Sequence, residues 1–311
     1  MLGDLTAWDF AAIATKCFAY GGSFVAVGSV LFLLINGSGA ADIRKFLAMA
    51  IGIAVFVGAV SSVAQFAVQT GRLMDEGLAG IIDPDMIELV SSGPLGNAVF
   101  LRLFGFALIL VLLFLRGLPG VVCGILGSVL VAGSFSFVGH GTGDPRWFLA
   151  SLVTVHVLAV SFWIGALMPL YGLAHHTRNL EAAGRLAHRF GQQAAYVVGL
   201  LALVGGVLAW WLIGSPEALF GSEYGLTLIV KLAVVVGLLG LAAANKLKFV
   251  PAMMAGDQRG ADNLRHSIRW EALAIASILL VTAVLTTVTS LPPTNGAEAE
   301  GTSMENMDHG N

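Results

Sequence analysis

The sequence predicts an all-α, polytopic membrane helix bundle of about eight transmembrane helices. Three observations predict it. Hydrophobic residues make up 57% of the 311 and charged residues only 11%, with a mean hydropathy of +0.86, and a soluble globule of this size could not cover such a core. The apolar residues are gathered into runs of roughly 20 or more, the length that crosses about 30 Å of hydrocarbon. Lysine and arginine alternate sides as those runs are counted off.

In chain order the spans are about Trp8 to Ile35, Phe46 to Val68, Leu95 to Leu115 and Leu118 to Gly139, then about Trp147 to Leu173, Ala194 to Ile213, Gly225 to Ala244 and Ile268 to Leu291. The first run is preceded by Asp4 and contains Asp9 rather than following a basic cluster, and it is too long for a signal-peptide core, so it is read as a retained helix. The bundle occupies residues 1–291, and residues 292–311 form a flexible polar tail.

Orientation follows from the basic residues. The loops after spans one, three, five and seven hold Arg44, Lys45, Arg116, Arg178, Arg185 and Arg189, with Lys246, Lys248, Arg259, Arg265 and Arg269 further on. The opposite side holds only Arg72 and Arg146 and is otherwise acidic. Positive residues favour the cytoplasmic side, so both ends of the chain are expected outside.

Three bases remain inside spans: Lys16, Arg102 and Lys231. Each lies in the outer half, where its long side chain either snorkels to the interface or faces a polar cavity, paired with a carboxylate or an anionic ligand group. Gly96 to Arg102-Leu103 and Gly225 to Lys231-Leu232 repeat one spacing at the start of spans three and seven. That match suggests two parallel four-helix repeats.

Histidine is the expected seat of chemistry, since an imidazole within lipid needs a partner and is a common metal ligand. His156 lies well inside span five, with Trp163 on the same face two turns deeper. His140 closes span four, and a short Gly-rich turn brings the two imidazoles within plausible reach. By spacing alone His156 reads equally as a buried, hydrogen-bonded histidine and as a ligand. Met74, Met86 and Cys17 are candidate third donors. Glu271, near the inner start of span eight, reads equally as a buried carboxylate that accepts a cation or proton and as one paired with Arg269 or another inner basic residue. Cys17 and Cys123 fall at opposite depths, which argues against a disulfide.

Gly139-His140-Gly141, then His156 followed by Ser161-Phe162-Trp163-Ile164-Gly165-Ala166-Leu167-Met168-Pro169-Leu170, resemble the copper resistance D (CopD) family of bacterial inner-membrane proteins. The resemblance continues through Glu223-Tyr224-Gly225 to Lys231, Asn245-Lys246, Pro251, Arg265, Glu271 and Leu291-Pro292-Pro293, and is most diagnostic over residues 139–291. Earlier, Lys16 to Gly28 and Gly96 to Arg102 are also similar. One departure is visible: the usual Trp-x-Gly-Gly reads Trp163-Ile164-Gly165-Ala166, and alanine still permits close helix packing.

The resemblance implies copper handling, most often described as movement from periplasm to cytoplasm, contributing to copper homeostasis or resistance. The cargo would be a copper ion, Cu(I) or Cu(II). His140 and His156 would form an outer-facing site, Trp163 and Gly165 would pack beside it, and Met304, Met307 and His309 in the tail would capture copper through thioether and imidazole donors. A periplasmic copper-binding protein is the expected partner besides the lipid bilayer. No phosphate-cradling loop, nucleic-acid-binding feature or catalytic constellation is expected, so the reading is not an enzyme. Two alternatives stay open: a membrane cytochrome whose haem is ligated by the same histidines, with Arg102 or Lys231 on its propionates, and a partner that presents copper without transporting it.

Overall fold

The computed structural model describes residues 6–36, 41–73, 77–115, 117–138, 145–175, 180–213, 220–221 and 223–288. Among the described residues there is no strand. The first helix, α1 (Ala7–Asn36), opens on a capping box: Thr6 Oγ accepts from the Asp9 amide at 3.3 Å, and the Asp9 carboxylate accepts from the Thr6 amide at 3.0 Å. After α2 (Ala41–Leu73) comes a short helix absent from the span count, α3 (Pro84–Ser92). Asp83 caps it by accepting from the amides of Asp85 and Met86, and Pro84 fills its first turn.

Next come α4 (Pro94–Phe114) and α5 (Leu118–Gly133), the latter tightening into a 3₁₀ turn over Ser134–Phe137 instead of running to Gly139. The fifth span is α6 (Arg146–His175), with Pro169 inside it. The sixth, α7 (Leu180–Ile213), begins well before Ala194, so Arg185, His188 and Arg189 lie on helix rather than in a loop. The seventh, α8 (Glu223–Ala244), passes through a π-helical turn, Asn245–Phe249, into α9 (Val250–Met254). The last, α10 (Gln258–Val288), begins ten residues before the apolar run starts at Ile268. Eight of these helices are long and apolar enough to cross a membrane. The chain is a multi-pass membrane protein in contact with lipid.

Lipid tails are as apolar as leucine, so the helices are held by close packing rather than by a hydrophobic drive between them. Two crossings are built on glycine. A Cβ on Gly28 of α1 would fall on the backbone of Ser161 and Gly165 of α6, and one on Gly165 would fall on Gly28 and Ser29. Gly105 of α4 and Gly127 of α5 meet in the same manner.

The α1–α6 contact lies at the centre of the bundle. Helix α1 packs on α5 of its own half and α10 of the other, while α6 packs on α10 and α5. Phe32, Phe162, Phe190, Met253 and Leu264 form a core at the end of the bundle where α6 finishes, here called the basic end. Val27, Val30, Ile51, Phe106 and Val131 fill the first half, and Tyr20, Phe24, Phe135, Val157 and Ile164 lie toward the opposite, acidic end.

Candidate functional site

Two fully enclosed charges mark the bundle, one in each half. Arg102 on α4 is 1% exposed and Glu271 on α10 is 2% exposed. The Arg102 guanidinium donates through Nε to Ser134 Oγ at 3.1 Å and through Nη1 to Ser62 Oγ at 3.3 Å. Each serine sends its own proton to a helical carbonyl, Ser62 to Gly58 and Ser134 to Val131, which leaves lone pairs for the arginine. The guanidinium also lies 4.5 Å from the centroid of Phe135, whose ring meets Tyr20 edge-on. Arg102 therefore does not snorkel; it occupies a niche of hydroxyls and arenes.

The other two intramembrane bases fare differently. Lys16 donates from Nζ to the Thr286 carbonyl at 2.7 Å and to Thr287 Oγ1 at 2.9 Å, so its charge caps the C-terminal turn of α10. Lys231 is half-buried on α8 and has no hydrogen-bond or ion-pair partner among the described residues. None of the three meets a described carboxylate. The ion pairs among the described residues are Arg72–Asp9, Arg185–Glu181 and Arg265–Asp262.

Glu271 corrects the expectation that it pairs with Arg269. Its Oε2 accepts from Trp163 Nε1 at 3.1 Å, and its Oε1 accepts from Asn245 Nδ2 in the π-helical turn. Arg269 instead donates to the Tyr171 hydroxyl at 2.7 Å. Trp163 does pack in the bundle, against the basic-end core, but its ring nitrogen also joins α6 to α10. Sequence reading singled out Glu271 and Trp163 separately and missed Asn245 as their companion.

His156 sits on α6 with Nδ1 buried and unpartnered. The ring faces α7 at Gly205, where an added Cβ would lie 3.9 Å from Cε1 and 4.0 Å from Nδ1. Cys17 has its sulfur 3.9 Å from the Leu279 carbonyl and lines an apolar crevice of about 280 Å³ with Gly22, Ala54 and Met168. Cys17 and Cys123 are both free thiols. Met86 lies on α3. His140, Met74, Met304, Met307 and His309 lie outside the described residues. Among the described residues, no group of three or more His, Cys, Asp or Glu side chains is placed to hold a metal.

Comparison with known proteins finds matches in both halves of the chain, outside most of α6. The family model for the "Copper resistance protein D-like, N-terminal domain" matches residues 6–148, and that for "Copper resistance protein D" matches residues 184–285. Copper resistance protein D of Pseudomonas syringae pv. tomato is 26% identical over 183 residues, covering 54% of this chain and 58% of that protein. The chain thus spans little more than half the length of that curated relative. No solved structure matches. With α1 to α5 under one model and α7 to α10 under the other, the chain belongs to the copper resistance protein D family.

Proposed function

We propose that the protein carries copper across the bacterial inner membrane, from periplasm to cytoplasm, and so contributes to copper homeostasis or resistance. The match of both halves to copper resistance protein D carries this reading. In it the acidic end and both chain ends face the periplasm, because the bases gather at the opposite end. His156 supplies the first ligand within the bundle. A buried imidazole nitrogen without a partner is expensive unless a ligand completes it, and imidazole suits either oxidation state of copper.

His140 joins His156 from the end of span four, and Met304, Met307 and His309 collect copper delivered by a periplasmic copper-binding protein. Fixed positive charge repels a copper cation. In this reading the path follows His156 along α6 and α7, and Arg102 is kept from it by its bonds to Ser62 and Ser134. Haem at this site would need a second axial ligand at the depth of His156. His175, His188 and His266, the other described histidines, stand on the basic-end portions of α6, α7 and α10, so none of them is placed for that role.

Copper uptake into proteoliposomes tests the proposal. Wild type accumulates copper above empty vesicles, and His156→Ala lowers the rate by about tenfold or more, since even indirect supports of a metal site are worth that much. Equal uptake by wild-type and empty vesicles, with copper still bound, would favour the presenting partner over the transporter. Uptake unchanged in His156→Ala would place the site elsewhere.

A further inference from the structure

Glu271 is a buried carboxylate that pairs with no cation among the described residues, and its surroundings can hold it in either protonation state. Its two hydrogen bonds come from neutral donors, the Trp163 indole and the Asn245 amide. The charged and titratable groups on the elements around it are engaged or directed elsewhere. On α10 itself, Arg269 binds Tyr171, Arg265 binds Asp262 and lies over the Tyr171 ring, and His266 accepts from Trp270. On α6 the phenol of Tyr171 is taken up by Arg269. In the π turn, the stem of Lys246 lies against Gly191 of α7 and Lys248 is exposed. On α1, Lys16 is at the far end, bound to Thr286 and Thr287, while α9 carries no titratable side chain.

Two buried acceptors beside this group are unused. Asn245 Oδ1 has no partner, although the same amide donates its NH₂ to Glu271. Ser267, one helical turn before Glu271 on the same face, has an unpartnered Oγ. An amide turned by 180° offers its oxygen where its NH₂ stood. The ionised carboxylate then accepts from Asn245 Nδ2 and Trp163 Nε1. The protonated acid donates from Oε1 to Asn245 Oδ1 and still accepts the indole proton on Oε2. Burial of the bare charge and two charge-assisted hydrogen bonds oppose each other with energies of the same order. Asn245 stands at the first position of a π-helical turn, a local widening that recurs at functional sites.

We propose that Glu271, held between Trp163 and Asn245, is a reversible proton-binding site that couples copper movement to the proton gradient. The coupling rests on the transport reading above; the proton site does not. The step is a simple addition: a carboxylate and a proton give a carboxylic acid, the proton being taken up from water on one side of the membrane and released to water on the other. Carboxylate and amide oxygens are hard donors, which suit a proton better than Cu(I).

Infrared difference spectra of the full chain in lipid, titrated across pH at fixed Na⁺, test the site. Wild type gains a carboxylic C=O band on acidification that shifts in D₂O. The band disappears in Glu271→Gln and moves in Asn245→Ala and in Trp163→Phe, variants that keep the carboxylate. A band that survives Glu271→Gln unchanged, or the absence of any such band in wild type, overturns the site. A band displaced at constant pH by exchanging choline for Na⁺ overturns the proton in favour of sodium.

Copper uptake under an imposed gradient tests the coupling. One pH unit changes steady-state accumulation by up to about tenfold for one proton per ion, and Glu271→Gln abolishes that dependence. Wild-type uptake indifferent to the gradient overturns coupling. No wild-type uptake at all sinks the transport reading and leaves the infrared result to decide the proton site.

Discussion

Arg102 and Lys231 each stand six residues after a glycine near the start of a span, Gly96 and Gly225, yet the two halves of the molecule receive them differently. Arg102 is enclosed, bonded to two serines and stacked on Phe135. Lys231 is half-buried and has no described partner. The cause is the neighbourhood. Helix α4 is flanked by α2 and α5, whereas the apolar windows of α7 and α8 are each only 6% buried, against 61% for α1. A planar, weakly hydrated guanidinium can be satisfied by hydroxyls and an arene, while an ammonium is strongly hydrated and needs water or an anion. The first half is a packed scaffold; the second is open, and it holds His156, Trp163 and Glu271.

The largest effect that can break this comparison is truncation of the two bases. Arg102→Ala removes a buried side chain that fills its niche, and we expect a loss of about 2–5 kcal/mol. Lys231→Ala is expected within about 0.5 kcal/mol of wild type, as for a site away from tight packing. Unfolding in mixed micelles with rising SDS, followed by tryptophan fluorescence, measures both. Arg102→Met fills the volume without the charge, and because Ser62 and Ser134 keep their carbonyl partners it should recover at least half of the alanine loss. If methionine is as damaging as alanine, the charge itself holds the first half together.

A smaller effect separates the halves by packing alone. Alanine is a better helix former than glycine by up to about 1 kcal/mol, so the sign of a Gly→Ala change reports the space available. At Gly105 the new methyl would lie 2.8 Å from both the Gly127 carbonyl oxygen and a Val131 methyl. The helices must separate, and overpacking of this kind costs about 1–3 kcal/mol. At Gly240 on α8 no atom lies within 4 Å of the added carbon. Gly240→Ala should therefore be neutral or stabilising in the same SDS titration. A loss at Gly240 equal to that at Gly105 would mean that α8 is as tightly packed as α4.

The eight spans were legible because crossing a membrane demands only length and apolarity, and no tertiary partner has to be guessed. Helix outside the hydrocarbon was not. The start of α7 at Leu180 and of α10 at Gln258 is carried by mixed, charged turns that a hydropathy window discards. Asp83 with Pro84 caps α3, and Thr6 with Asp9 caps α1, but such features are local and polar and a hydropathy window does not register them. At the candidate site, Trp163, Gly165 and Glu271 were identifiable, whereas their contacts were not. Arg269 is near Glu271 in sequence, but residues two apart on a helix point about 200° apart. The actual partners, Trp163 and Asn245, are 108 and 26 residues away. The depth of His156 was legible too; its opposition to Gly205 depends on how α6 meets α7, which no local pattern encodes.

The smallest expected effect concerns how the first half is closed at its acidic end. Arg72 of α2 donates to Asp9 of α1 at 2.6 Å, tying the two helices beside the capping box that Asp9 makes with Thr6. Asp9→Asn keeps an oxygen for the Thr6 amide and removes the charge, so it isolates the ion pair from the cap. A partly exposed pair is worth about 0–1 kcal/mol. At about 1 M salt the screening length falls to about 3 Å, and that contribution should fade. Wild type and Asp9→Asn should thus differ slightly at low salt and converge at high salt, with Arg72→Gln behaving alike. A difference that persists at high salt would assign the effect to the cap; then the close packing of α1 on α2, rather than the ion pair, sets the tightness of the first half.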